Sequence, residues 1–184
     1  MAESLFETLQ RMQREFSGHP PVHKWNPDFC GDMDLVIRRD GRWIHEGVEI
    51  RRQPLVKLFA SVLKREGDDY FLVTPVEKLR IRVEDVPFIA TQVAKGVEAG
   101  RECLVFTSNT GDIVPLESGR GWQLKPYGDP PLQIPYIEVR QGLEARISRQ
   151  VYYQLVDWAE DRAGENCRQL WLHSDGEQFL LGSY

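Results

Sequence analysis

Five side chains near the N-terminus are of the types that bind metal ions and support metal-dependent chemistry. Imidazole nitrogens, thiolates and carboxylates are the groups that coordinate zinc in proteins. Pro20-Pro21 prevents the two histidines from sharing a helical face, and the spacing of the set matches no standard zinc motif. We therefore expect no metal and no cofactor, and a metal-dependent enzyme is the alternative. The five residues are His19, His23, Cys30, Asp32 and Asp34, of which the last four would form the enzyme site.

Motifs for covalent catalysis and for phosphate binding are missing from the sequence. There is no Gly-x-Ser-x-Gly elbow, and Cys30, Cys103 and Cys167 lie too far apart for a Cys-x-x-Cys pair. Gly119-Arg120-Gly121 runs into a strand-like segment and lacks the helix N-terminus that binds phosphate in glycine-rich loops. The sequence thus favours a binding protein over an enzyme.

A run of alternating basic and apolar residues is the best candidate for a binding surface. Apolar residues at 79, 81 and 83 alternate with Lys78, Arg80 and Arg82, which predicts a strand with one buried and one basic face. Rows of guanidinium groups suit carboxylates or phosphates, although pairing with acidic residues elsewhere in the chain explains the row about as well. Because aromatic and arginine side chains dominate binding hot spots, the candidate ligand-binding residues are Trp43, Arg51, Lys78, Arg80 and Arg82.

The overall composition is that of an ordinary globular protein. Of the 184 residues, 41% are hydrophobic and 28% are charged, and the formal net charge of −5 disfavours indiscriminate binding to nucleic acid. No apolar run approaches the roughly 20 residues that a membrane span requires. We expect a cytoplasmic protein without a membrane span. Its partner would be a protein or, as the last-ranked possibility, a nucleic acid.

The elements that must position these residues follow from apolar spacing and turn residues. An amphipathic helix is predicted over 4–16, with Ser4 and Glu7 as its capping box. A β-hairpin is predicted over 35–50, turning at Asp40-Gly41 in a type I′ turn. A second helix should begin at Pro54 and end at Gly67, before a strand at 70–74.

The rest of the chain is predicted to be rich in strands. The loop 127–131, with its glycine and two prolines, is the best candidate for a domain boundary. Beyond it, a strand over 136–145 precedes a helix that Ser148 should cap and that should end at Ala163-Gly164. A terminal hairpin should turn at Asp175-Gly176.

Two segments 95 residues apart resemble each other, which indicates an internal duplication. Gly47-Val48-Glu49-Ile50-Arg51 is echoed by Gly142-Leu143-Glu144-Ala145-Arg146, and each segment leads into a predicted helix and then a strand. The Glu-x-Arg pairs are either buried ion pairs or part of a shared ligand site. We predict an N-terminal helix over 1–20, a first β/α repeat over 21–78, and a β-rich domain over 79–184 that contains the second repeat, 135–184.

Several longer phrases resemble those of a bacterial family of uncharacterised proteins with a domain of unknown function. The resemblance covers nearly the whole chain, and none of the phrases is a catalytic motif. The phrases are Cys30-Gly31-Asp32-Met33-Asp34, Asp40-Gly41 with Trp43, Leu55-Val56-Lys57-Leu58-Phe59, the run from Tyr70 to Lys78, and Val83-Glu84-Asp85-Val86-Pro87-Phe88.

The resemblance implies a two-domain α+β fold with a duplicated β-β-α-β type motif. It also implies a C-terminal domain loosely similar to pleckstrin-homology folds, and a ligand site at the domain interface for a protein or a nucleic acid, with a role in signal transduction. It supplies no catalytic residues. We accordingly expect a binding or adaptor protein whose ligand lies where the two repeats meet.

Overall fold

The computed structural model describes residues 5–15 and 18–184, which form two compact units. The first unit ends at Pro87 and the second comprises Phe88–Tyr184. The described helices are α1 (Leu5–Glu15), α2 (Gln53–Ser61) and α3 (Arg149–Trp158), with a single 3₁₀ turn at Val22–Lys24. Strands supply most of the remaining regular structure, so the predicted α+β class is confirmed. None of these helices has the length and hydropathy needed to cross a membrane.

The first unit contains one mixed sheet of six strands in the order β3-β2-β1-β6-β5-β4. Neighbouring strands are antiparallel except for β1 and β6, which run parallel at the centre of the sheet. The strands are β1 (Phe29–Ile37), β2 (Trp43–His45), β3 (Val48–Glu49), β4 (Leu63–Glu66), β5 (Asp69–Val73) and β6 (Lys78–Val83).

The core of the first unit lies between one face of this sheet and the helices. Leu35, Ile37 and Trp43 are buried on that face, and the Trp43 ring stacks on Phe59 of α2 with centroids 6.5 Å apart. Helix α1 contacts α2 and buries Leu9 and Met12, as its predicted stripe requires. The predicted cap Ser4 and the last stripe residue, Phe16, lie outside the described residues.

Two predicted features of the first unit differ in the structure. Helix α2 ends at Ser61, and the stretch predicted to complete it forms β4, which pairs with β5 through a turn at Gly67. Gly67 has a φ of +61°, which serves a hairpin turn as well as a helix end, so the pairing with β5 decides between them. At Asp40-Gly41 only Gly41 has a positive φ, so this hairpin does not use the predicted type I′ turn.

The second unit contains a mixed six-stranded sheet and a smaller antiparallel sheet. The larger sheet has the order β10-β11-β12-β7-β8-β9, and the smaller one has the order β13-β14-β15. The strands are β7 (Phe88–Glu98), β8 (Arg101–Ser108), β9 (Ile113–Pro115), β10 (Trp122–Tyr127), β11 (Leu132–Arg140), β12 (Leu143–Ile147), β13 (Glu160–Ala163), β14 (Arg168–Ser174) and β15 (Glu177–Ser183).

The N-terminal cap of α3 is confirmed, and its C-terminal end is not. The Ser148 hydroxyl accepts a hydrogen bond from the Val151 amide at 3.3 Å. The helix ends at Trp158 rather than at Ala163-Gly164, because 160–163 pairs with β14 as the edge strand β13. The terminal hairpin turns at Asp175-Gly176 as predicted, with both residues at positive φ.

The structure divides the chain elsewhere than the sequence predicts. The loop 127–131 connects β10 to β11. These two strands pair with each other, from Trp122 opposite Ile137 to Tyr127 opposite Leu132, so the loop lies inside the second unit. The predicted division after residue 78 falls at the start of β6, which hydrogen-bonds to β1 on one side and to β5 on the other. The first unit therefore continues to Pro87.

The echoed segments are two hairpin turns of the same type. Glu46 and Gly47 have φ angles of 48° and 77°, and Gln141 and Gly142 have 46° and 77°. Positive φ at both central residues defines a type I′ turn, which connects β2 to β3 and β11 to β12. Each unit contains three strands, a helix and three further strands in succession along the chain. These are β1–β3, α2 and β4–β6 in the first unit, and β10–β12, α3 and β13–β15 in the second. The expected likeness to pleckstrin-homology folds stays a prediction.

The two echoed Glu-x-Arg pairs differ in burial. Arg51 Nε lies 3.8 Å from Glu49 Oε2, and the Arg51 side chain is 87% exposed. Glu144 is buried, but it accepts hydrogen bonds from Lys125 at 2.6 and 2.7 Å, while Arg146 lies over the Tyr127 ring. The two echoed segments therefore share their turn geometry and differ in the exposure of their charged side chains.

Candidate functional site

Strand β6 presents its basic residues on the face of the first sheet that is opposite to the helices. Ile81 is buried and Leu79 and Val83 are half-buried, whereas Arg80 and Arg82 are exposed, as the predicted alternation requires. Phe29 of β1 is opposite Lys78 in the register, Asp32 of β1 is opposite Arg80, and Phe71 of β5 is opposite Arg80 on the other side. We call this surface the β6 face, formed by Phe29, Asp32, Glu66, Phe71, Lys78, Arg80 and Arg82.

Arg80 is held in one orientation by a carboxylate and an aromatic ring. Its Nε donates to Asp32 Oδ1 at 2.7 Å, its Nη2 donates to Oδ2 at 3.2 Å, and the guanidinium lies 5.7 Å from the Phe29 centroid. The hydrogen bond from Arg80 lowers the pKa of Asp32, and that same bond raises the pKa of Arg80. Phe29 remains 54% exposed, which is high for a large hydrophobic side chain.

Lys78 is fixed in a similar way on the neighbouring part of the face. Its ammonium donates a short hydrogen bond to Glu66 and lies 4.5 Å from the centroid of Phe71. Glu66 also pairs with Lys64 at 3.0 Å, and the hydrogen bonds from Lys78 and Lys64 lower the pKa of Glu66. Phe29 and Phe71 meet edge to face with centroids 6.3 Å apart, which joins the two cation clusters.

A shallow cavity of about 290 Å³ lies beside Arg80 and Arg82. It is lined by Asp32, Met33, Asp69, Arg80, Ile81 and Arg82. The register between β1 and β6 shifts here, because the four-residue step from Asp32 to Val36 faces a two-residue step from Arg80 to Arg82. Such a bulge interrupts strand pairing and redirects side chains, and it coincides with the phrase Cys30-Gly31-Asp32-Met33-Asp34.

The structure does not place Trp43 and Arg51 on this face. Trp43 is 1% exposed and belongs to the core, so its ring is inaccessible to a ligand. Arg51 is exposed, but it follows β3, and β2 and β1 lie between β3 and β6. Three strand spacings of about 4.8 Å put it roughly 14 Å away across the sheet. Of the five predicted ligand-binding residues, only Lys78, Arg80 and Arg82 come together.

The predicted metal candidates are not brought together into a ligand set. Among the described residues there is no group of three or more His, Cys, Asp or Glu side chains that could hold a metal ion. Asp32 is engaged by Arg80, and the exposed Cys30 thiol donates to the Asp28 carbonyl at 3.2 Å.

A charged cluster of Glu160, Arg162 and His173 on the smaller sheet was not predicted from the sequence. Arg162 donates to both carboxylate oxygens of Glu160, at 2.8 and 2.7 Å, and His173 Nε2 lies 2.8 Å from Glu160 Oε2. The sequence signal was the alternation Glu160-x-Arg162, which is typical of a strand. It was hidden because the preceding helix was predicted to extend to residue 163.

Glu160 should titrate well below an ordinary glutamate. Hydrogen bonds from Arg162 and His173 lower the pKa of Glu160 to about 2, and the bond from Arg162 contributes most. Because the folded-state pKa is depressed, this contribution to stability is present above the unfolded pKa of about 4.3 and is lost as the pH falls towards 2. We expect the carboxyl ¹³C resonance of Glu160 to titrate with a midpoint near pH 2. In an Arg162→Gln variant this midpoint should move to a higher pH. An ordinary midpoint near 4.3 in the unmodified protein would contradict the hydrogen bonding.

Comparison with known proteins identifies relatives over the whole described fold. Residues 20–86 match the N-terminal domain, and residues 87–181 the C-terminal domain, of the domain of unknown function DUF1285. The chain is similar to the crystal structure of a DUF1285 family protein from Silicibacter pomeroyi DSS-3, with 39% identity and a TM-score of 0.86, covering 100% of this chain and 97% of that one.

A second crystal structure is related more distantly. The DUF1285 family protein from Shewanella baltica OS155 has 28% identity and a TM-score of 0.54, covering 68% of this chain and 91% of that one. No curated protein matches the chain. The two family matches together span far more than half of the sequence, and their division at residues 86 and 87 agrees with the end of the first unit at Pro87. The chain therefore belongs to the DUF1285 family.

Proposed function

We propose that this chain is a binding protein that recognises a protein partner through the β6 face. The observation that carries this proposal is the ordered, exposed arrangement of Arg80 over Phe29. Arginine and large aromatic side chains contribute most of the binding energy in protein interfaces. A guanidinium that is already held by Asp32 also loses little conformational entropy when a partner binds.

The charge pattern of the surface favours a protein over a nucleic acid. Lys64, Lys78, Arg80 and Arg82 are interleaved with Asp32, Glu66 and Asp69, so the cations exceed the carboxylates by one. Protein surfaces that bind nucleic acids are strongly basic, and the carboxylates beside these cations would repel phosphates. A protein surface that alternates acidic and basic groups can instead complement both signs.

Arg82 provides the adaptable part of the surface. In the part of the chain that the structure describes, Arg82 forms no ion pair, and it borders the shallow cavity beside Arg80. A partner carboxylate could therefore bind Arg82 without displacing an internal partner. Residues Phe29 and Arg80 would supply the preformed contacts around it.

Charge reversal at two positions of the β6 face tests this proposal. We expect the Arg80→Glu, Arg82→Glu double variant to remain folded and to bind its partner at least about thirtyfold more weakly, because truncation at hot spots costs 2 kcal/mol or more. The measurement is affinity capture from a nuclease-treated lysate of its own cells, followed by titration of the purified partner.

The matched control is the Arg52→Glu, Lys57→Glu double variant, which makes the same charge change at two exposed positions, the N-cap and the interior of α2. It should bind the partner like the unmodified chain. Equal capture by the folded β6 variant and by this control would overturn the proposed surface. No captured protein, together with retention of the purified chain on a polyanion column that falls steeply at high salt, would replace the protein partner with a nucleic acid.

A further inference from the structure

The second unit contains a cavity of about 430 Å³ that is independent of the β6 face. It lies between the β7–β8 hairpin, the C-terminal end of α3 and β14. Its volume falls within the range of roughly 300–1,000 Å³ that is usual for small-molecule sites. The residues that matter for its chemistry are Lys95, Glu102, Leu104, Trp158, Leu172 and His173.

The floor of the cavity is apolar and closely packed. Leu104 and Leu172 are buried, and the half-buried Trp158 indole forms a wall beside them. Cys103 also lines the cavity, and burial raises the pKa of its thiol, so this side chain is an uncharged surface at neutral pH. An apolar floor with an aromatic wall suits a flat ring.

Lys95 provides a positive charge at the rim that is oriented but not neutralised. Its ammonium lies 5.0 Å from the centroid of the Trp158 ring, and within the described residues it forms no ion pair. A cation–π contact holds the ammonium in place and leaves its hydrogens available. Lys78 differs in this respect, because its ammonium already donates a hydrogen bond to Glu66.

The opposite rim limits where an anionic group can bind. Glu102 is exposed, and in the described structure its carboxylate forms no ion pair, so it repels a second anion on its side. His173 Nε2 is occupied by Glu160, which leaves the histidine ring as a wall rather than as a free donor. A ligand anion is therefore directed towards Lys95.

We propose that this cavity binds a small planar aromatic carboxylate, with its ring on the apolar floor beside Trp158 and its carboxylate on Lys95. The apolar surface supplies the affinity, and the charge of Lys95 supplies the preference for an anion. The site uses residues of the second unit alone.

Three probes with the same ring and different charge test this proposal. They are 1-naphthylacetate, 1-naphthylacetamide and 2-(1-naphthyl)ethylamine, titrated into the full chain by calorimetry and by ¹H–¹⁵N NMR. We expect the carboxylate to bind about fivefold more tightly than the amide, the gain of a partly exposed ion pair. The amide should in turn bind no more weakly than the amine, and shifts should be confined to the lining residues.

Two variants separate the roles of the charge and the ring. Lys95→Met should reduce carboxylate binding to the level of the amide, while Lys57→Met, which removes an exposed lysine of α2, should leave it unchanged. Trp158→Leu should weaken all three probes. Absence of binding, or shifts elsewhere in the chain, would overturn the site. Equal binding of the three probes, or no effect of Lys95→Met, would overturn the preference for an anion.

Discussion

Replacing Trp43 with alanine should lower the free energy of unfolding of the first unit by about 3–5 kcal/mol. Large aromatic to alanine substitutions in a core cost this much, because they remove buried apolar surface and leave a cavity. Trp43 is 1% exposed and stacks on Phe59, so it joins the sheet to α2. Hydrogen exchange of the β1, β2 and β6 amides is the appropriate measurement, because it assigns the loss to a unit without assuming two-state unfolding.

Trp43→Phe is the control for this prediction. It keeps an aromatic ring against Phe59, and it removes an indole N–H that is buried without a hydrogen-bond partner in the described structure. An unsatisfied buried donor costs about 1–3 kcal/mol, so its removal should offset part of the lost packing. A Trp43→Ala variant as stable as Trp43→Phe would mean that this core position is not packed as described.

Replacing Asp112 with alanine should destabilise the second unit by about 3 kcal/mol or more. Asp112 accepts hydrogen bonds from Ser108 and Thr110 at 2.7 and 2.6 Å, and from Arg140 at 2.5 Å. The carboxylate and guanidinium side chains are only 7% and 17% exposed, and burial lowers the pKa of Arg140. Breaking a buried pair by removing one partner typically costs about 3–5 kcal/mol, because the remaining charge stays desolvated.

A double variant tests whether the buried charge of Arg140 is the cause. Asp112→Ala with Arg140→Met should be more stable than Asp112→Ala alone, because methionine retains apolar contact with Phe88 and carries no charge. Protection should fall in β7, β8 and β11 and remain unchanged in β1 and β6. If the double variant is no more stable than the single one, the cost comes from the lost hydrogen bonds of the 108–112 turn.

Local patterns predicted those elements that residues close in sequence can specify. The capping of α3 by Ser148 and the turn at Asp175-Gly176 each depend on a few adjacent residues, and both are confirmed. The wrong predictions for the C-terminal ends of α2 and α3 concern segments with two good local solutions. Gly67 suits a helix end and a hairpin turn alike, and pairing of β4 with β5 selects the hairpin.

The candidate site shows the same division. Alternation along 78–83 predicted the basic side of β6, because the period of a strand can be read from a single segment. Asp32, Glu66 and Phe29 entered the site only through pairing with β1 and contact with β4, at separations in sequence that no local pattern spans. Trp43 was predicted to bind a ligand because tryptophan is common at binding hot spots. Its position opposite Ile37, on the inner face of the sheet, buries it instead.

The sequence by itself determined the α+β class, the amphipathic first helix, the Ser148 cap, the turn at Asp175-Gly176 and the basic row on β6. Turn geometry, helix capping and strand period depend on neighbouring residues, which is why these features can be read directly. Only the tertiary structure decided that the first unit extends to Pro87, that Glu144 is buried beside Lys125 while Arg51 beside Glu49 is exposed, and that Lys95 meets Trp158 above an apolar floor. Each of these depends on the pairing of distant strands and on the burial that follows from it.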